Sequence, residues 1–140
     1  VQAKISFHSE LPKFKLKDRT KVSSWLHTIV AFHLGKIERV QYIFCDDEYL
    51  LALNKEHLGH DTFTDIITFR YQEHPKPLES EIYISLERVR ENAEKFGVSF
   101  ENELHRVMAH GMLHLLGFKD KKKTEVAQMR EKEEWALSIF

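Results

Sequence analysis

His110 and His114 stand four residues apart in the run HGMLHLLGFKD, residues 110 to 120. On an α-helix that spacing projects both side chains from one face, with Cβ atoms about 5 to 6 Å apart. Both imidazoles can then reach one ion. Zinc takes imidazole nitrogen at about 2.0 to 2.1 Å, and its catalytic sites use three protein ligands with a fourth position left for water. The pair supplies two ligands, so a third donor is needed. Gly117 is where the helix should stop, because a glycine just past a helix end takes the left-handed conformation that other residues resist. The chain then turns back, Phe118 packs on Leu113, and Asp120, three residues beyond the glycine, swings under the histidine face.

The spacing His-x3-His-x5-Asp repeats the His-x3-His-x5-His ladder of metzincin-type metalloenzymes, with a carboxylate in third place. Two histidines at this interval alone are as often packing residues as ligands. The added glycine and carboxylate move the reading to one zinc ion per chain on His110, His114 and Asp120. A carboxylate makes such a site less positive than three histidines would, so its water should be less acidic. Proteases with HExxH use the glutamate beside the first histidine as general base. Here that place is Gly111, which cannot take a proton, so a zinc-dependent protease or other metallohydrolase is the second reading.

The elements that must position these residues follow from periodicity. ISFH (5 to 8), RVQYIFC (39 to 45), DIITF (65 to 69) and EIYIS (81 to 85) read as strands. Val22, Trp25, Ile29, Phe32 and Leu34 recur at helical intervals toward a cap at Gly35. Asp46 and Asp47 offer an N-cap to a helix through Leu50 and Leu53 that ends near Gly59. QEHPKPLES, with two of the three prolines, reads as a loop. Leu86, Val89, Ala93 and Phe96 mark one face of a helix closed by Gly97. Ser99 caps the helix that carries the histidine pair, with Glu101 and Glu103 in its first turn, where the helix dipole favours anions. A last helix runs from about Thr124, with Val126, Met129, Glu133, Trp135 and Leu137 on a mixed surface. The expected fold is α+β: a single domain over 1–140, with a mixed sheet of about four strands, about five surrounding helices and a zincin-like metal helix.

Composition bounds the function. Lysine and arginine number 21 against 22 acids, so the chain as a whole has no long-range pull on a polyanion and any nucleic-acid contact needs a local patch. Two candidate patches are Lys119 with Lys121, Lys122 and Lys123 beside the third ligand, and the alternating Lys13, Lys15 and Lys17. Cys45 is the single cysteine, which excludes an internal disulfide and points to a cytoplasmic, reducing environment. No apolar run approaches a membrane span. His57, His60 and His105 read as surface or packing residues.

HGMLHLLGFKD, together with LNKEHLGHDTFTDIITF (53 to 69), SEIYIS and the trailing Met129 and Glu133, resembles the YbeY-type metal-dependent endoribonucleases. The resemblance covers about residues 40 to 135. It implies a mixed sheet with surrounding helices, a single zinc, and cleavage of single-stranded RNA in rRNA maturation and ribosome quality control, with ribosomal RNA or the small ribosomal subunit as partner. Thr64 and Asp65 match the family pattern. Three places depart from it: Gly117, Phe118, Lys119 and Asp120 stand for Gly-Tyr-Asp-His, Leu58 stands for an arginine, and Ser80-Glu81 stands for Gly-Asp. Asp65 and Glu81 are the candidate general bases, and Arg70 is a further phosphate contact if Leu58 leaves that role vacant. A non-catalytic ribosome-binding factor, in which zinc only ties the last loop to its helix, is a third reading.

Overall fold

The computed structural model describes residues 4–59 and 64–140, without the side chain of Leu58. His60 and the segment around it lie outside the described residues. Strands β1 (Ile5–Ser9), β2 (Ile37–Cys45), β3 (Ile66–Gln72) and β4 (Leu78–Ser85) form one sheet in the order β1-β2-β4-β3. β1, β2 and β4 are parallel, and β3 runs antiparallel to β4 at the edge. The helices are α1 (Arg19–Phe32), α2 (Asp47–Leu53), α3 (Leu86–Phe96), α4 (Phe100–Leu115) and α5 (Lys123–Ser138), and a π-type turn, Asn54–Leu58, continues α2. The mixed α+β architecture matches the one expected from periodicity.

Strand alternation divides the apolar residues between two faces. Val40, Tyr42 and Phe44 of β2 join Ile82 and Ile84 of β4 in the main core with Ile29, Val89, Leu104, Met108 and Met112. Cys45 and Ile67 face the other way, against Leu50, Leu53, Phe69 and Tyr83. Burial pushes the Cys45 thiol up to about 12, so it packs as a neutral group.

Two features seat α4 closely on the first face. The buried Tyr42 hydroxyl donates to the Met108 carbonyl at 2.8 Å. Gly111 faces the sheet where a Cβ would lie 2.9 Å from Ile66 Cδ1 and 3.3 Å from Ile82 Cδ1. The residue that removes a protease's base is therefore also the one that lets the helix approach.

Several local expectations are corrected. α1 ends at Phe32 and the left-handed residue is Leu34 (φ 61°), not Gly35. Gly35 serves contact instead, since a Cβ there would meet Leu116 Cδ2 at 2.6 Å. Phe32 and Leu34 are 63% and 87% exposed, because they lie past the point where α1 leaves the core. Phe96, at the end of α3, is 49% exposed. The proline-rich loop is shorter than QEHPKPLES, for Gln72 ends β3 and Leu78, Glu79 and Ser80 already belong to β4. Both prolines fall in the five-residue connection between these strands, where no ladder N–H is required of them.

Because Gly111 has no room for a branched side chain, Gly111→Val should lower the unfolding free energy by about 1–3 kcal/mol through overpacking. A urea midpoint equal to that of the wild type would show that α4 is not held at this distance.

Candidate metal centre

The site is built on one stripe of α4. Glu103, Arg106, His110 and His114 follow at intervals of three and four residues, so they lie along a single face. Ser99 starts the helix by accepting from the Asn102 amide at 3.0 Å. Gly117 ends it at φ 103°, with its own N–H donating to the His114 carbonyl at 3.0 Å and the Phe118 N–H to the Leu113 carbonyl at 3.1 Å. That pair of bonds is the Schellman arrangement. It reverses the chain, and Phe118 packs against the core that contains Leu113.

The reversal carries Asp120 to the histidines. Its Oδ2 lies 3.3 Å from His110 Nε2 and 3.2 Å from His114 Nε2, and the three donor atoms fall within 4.8 Å of one another. Charge-assisted N–H···O bonds are normally about 2.7–2.9 Å, so these separations are long for direct hydrogen bonds. They equal the edge of a tetrahedron whose centre is about 2.0–2.1 Å from each corner, an edge of about 3.3–3.4 Å. The donor set therefore fits a small divalent ion with nitrogen and oxygen preference.

A second layer fixes His110. Its Nδ1 lies 2.5 Å from Glu133 Oε2 on α5. Glu133 Oε1 accepts from Arg106 Nη1 at 2.9 Å, and Arg106 also binds Glu103 through Nε at 3.0 Å and through Nη2. Glu103 and Glu133 are 1% and 3% exposed. A carboxylate on Nδ1 keeps a proton there and leaves Nε2 free to face Asp120.

The electrostatics follow from these contacts. Burial alone would lower His110, but the Glu133 hydrogen bond and charge, with Asp120 and Asp65 behind them, hold it above the ordinary histidine value. His114 goes the other way, lowered by burial and by the charge of His110. Glu133 stays below the usual carboxylate range although burial opposes this, because His110 and Arg106 favour its anion. Asp65 is raised, chiefly by burial.

Not every expected residue arrives here. Asp65, Arg106, His110, Asp120, Met129 and Glu133 line one cleft of about 250 Å³. Arg70 sits on the same side, close enough for its charge to act on His114, and pairs with Glu73 at 3.0 Å. Glu81 does not reach the cleft. It neighbours Ile82, which packs on α4, so alternation turns it to the opposite face, where Tyr71 donates to it at 2.6 Å. Lys119, Lys121, Lys122 and Lys123 are exposed around Asp120. Lys13 and Lys15 are exposed, and Lys17 pairs with Glu101 at 3.4 Å. His57 stacks edge-on against Phe69 and His105 packs between Trp25 and Phe140, both away from the donors.

Sequence reasoning missed Arg106, took Glu103 only as a first-turn anion, and noted Glu133 only as part of a pattern. The signal was the charged stripe itself: Glu103 and Arg106 continue the histidine face toward the N-terminus, where an outward helix would show them to solvent.

Comparison with known proteins decides the family. The family model "Endoribonuclease YbeY" matches residues 5–140. The chain belongs to the YbeY endoribonuclease family. Relatives named Endoribonuclease YbeY include that of Cytophaga hutchinsonii, 44% identical over 96% of this chain and 94% of the relative. That of Flavobacterium psychrophilum is 44% identical over 97% of this chain and 96% of its own. Among solved structures, the solution structure of TM1509 from Thermotoga maritima aligns with a TM-score of 0.68 at 28% identity, covering 96% of this chain and 87% of that one.

Two outcomes are expected in this YbeY family member. Arg106→Ala strands two buried carboxylates and should cost about 3–5 kcal/mol of stability, read by denaturant unfolding. Glu133→Gln should leave the fold intact and weaken metal affinity about 10- to 100-fold, read by competition with a chelating dye. Metal affinity unchanged in Glu133→Gln would mean that His110 needs no carboxylate to present Nε2.

Proposed function

We propose that this chain is a zinc-dependent endoribonuclease that cuts single-stranded RNA, with ribosomal RNA as its natural substrate. The observation that carries the reading is the convergence of donor atoms of His110, His114 and Asp120 within 4.8 Å of one another, beside a cleft that also holds a partly buried acid, Asp65. The name borne by the relatives supports RNA as the substrate. A reducing compartment such as the cytoplasm fits the single buried thiol. Among the described residues, no helix is long and apolar enough to cross a membrane.

When bound, zinc would act as a Lewis acid toward a phosphoryl oxygen and lower the pKa of water in the site. His110 and His114 would hold it through Nε2, and Asp120 through Oδ2. Glu133 keeps the His110 proton on Nδ1 throughout, so the ring does not change tautomer as substrate enters. Asp65 lines the same cleft, and its raised pKa makes its carboxylate a stronger base than a solvated aspartate. It is placed to take the proton of the attacking nucleophile. Arg70 lies beside His114 and the exposed lysines from 119 to 123 flank Asp120, so both can meet backbone phosphates.

Elemental analysis should find one zinc per chain in the wild type. Zinc and cleavage of a single-stranded rRNA fragment should be lost together in His114→Ala and Asp120→Ala. Zinc bound without cleavage, after exclusion of contaminating nuclease, would favour a ribosome-binding factor instead. Asp65→Asn should keep its zinc and lose about 10²–10⁴-fold in single-turnover rate. Because burial raises the Asp65 pKa, the acidic limb of the wild-type pH–rate profile should be displaced upward from that of an ordinary carboxylate, and should shift in that variant.

A further inference from the structure

The cleft at the metal donors does not stop there. Its α5 wall is formed by Val126, Met129, Arg130 and Glu133, the positions i, i+3, i+4 and i+7 of one helical face. Arg106 and Arg130 also line a wider groove of about 580 Å³ between α4 and α5, which reaches Phe96 at the end of α3 and Val98 just past it. Both arginines line each depression, so the two adjoin and together extend from the donors to Phe96.

The arginines differ in what they have to offer. Arg106 is committed to Glu103 and Glu133. Arg130 is exposed and, among the described residues, its guanidinium has neither a carboxylate partner nor a ring contact. A half-exposed aromatic ring waits further along, for Phe96 lies 5.7 Å from the Arg106 guanidinium carbon and 5.9 Å from the Lys95 ammonium. An unpaired cation followed by an exposed ring is the combination that single-stranded nucleic acid uses, phosphate on the first and base on the second. A duplex hides its base faces and has no use for the ring. Glu134 also lines the groove as an exposed acid, one turn along α5 from Arg130.

We propose that the groove between α4 and α5 carries the RNA strand away from the metal centre, with Arg130 on a backbone phosphate and Phe96 stacking on a base. This rests on the reading of the cleft as a nuclease site. It also accounts for the placement of α5: one face of the helix orients a metal ligand through Glu133 while its neighbour Arg130 meets the substrate.

Fluorescence anisotropy with a single-stranded 2′-O-methyl RNA oligonucleotide of mixed sequence, titrated with the zinc-loaded full chain at several salt concentrations, tests the track. Arg130→Gln should weaken binding about tenfold and reduce the slope of log affinity against log salt by about 0.7, the share of one phosphate contact to a single strand. Phe96→Ala should weaken it about fivefold or more without changing the slope. Arg39→Gln, a charge change on the sheet beside Glu79 and away from the groove, should alter neither. Wild-type affinity and slope in Arg130→Gln would overturn the track while leaving RNA cleavage by the wild type to stand. Unchanged affinity in Phe96→Ala would remove the stacking contact. Failure of the wild type to bind the oligonucleotide would overturn both the track and the nuclease reading.

Discussion

A guanidinium buried between two carboxylates is costly unless its geometry is good, since each charge loses several kcal/mol of hydration. Arg106 meets that condition by binding Glu103 on its own helix and Glu133 on α5 at hydrogen-bond distance. The docking of α5 depends on this pair. Met129, Glu133 and Ala136 are the only buried residues of α5, so little apolar area fixes its position along α4. The charge pair sets the register together with the buried Trp25 indole N–H, which donates to the Ala136 carbonyl at 2.7 Å. Once Glu133 is held, its second oxygen lies on His110 Nδ1, and the orientation of a candidate metal ligand is set by a helix contact.

α4 is held from three sides. The sheet receives it at Gly111, Tyr42 binds its Met108 carbonyl, and the His74 amide donates to its Leu115 carbonyl at 3.2 Å from the loop after β3. That last bond satisfies one of the carbonyls a helix leaves open at its C-terminus. The Schellman bonds at Gly117 satisfy others. A ligand arriving from a loop, Asp120, is thus attached to a helix end with few unpaired groups and little freedom to fray.

The cluster of candidate metal donors was legible because helical spacing and a terminal glycine are local signals. His110, His114, Gly117 and Asp120 span only eleven residues, and each constraint acts within that span. Asp65 was legible as an acid at a strand border, but its neighbour in expectation, Glu81, was not placed correctly. Glu81 alternates with Ile82 on β4, and it is the packing of Ile82 on α4 that turns this acid to the opposite face. Arg106 and Glu133 are separated by 27 residues. No periodicity within either helix reveals that they meet, and charged residues on an amphipathic helix read by default as its solvent side. Phe32, Leu34 and Phe96 failed for the converse reason: each continues an apolar period past the point where its helix still touches the core.

The charge balance of the cleft explains why an ion suits it. Asp65, Asp120 and Glu133 line the cleft with Arg106 and Arg130, and Glu103 binds Arg106 from beside it. With both histidines neutral, the group carries a deficit of positive charge in a partly dry space. The raised pKa of His110 expresses that deficit as a tendency to take a second proton. Its Nδ1 faces Glu133, so the nitrogen open to that proton is Nε2, which also faces Asp120. A divalent cation at the same place supplies more charge and meets three donors instead of one. Proton and metal therefore compete for one nitrogen, and binding of the ion must release the proton. The carboxylates that draw the cation in are the same ones that set this competition, with Glu133 acting through the ring and Asp120 acting directly.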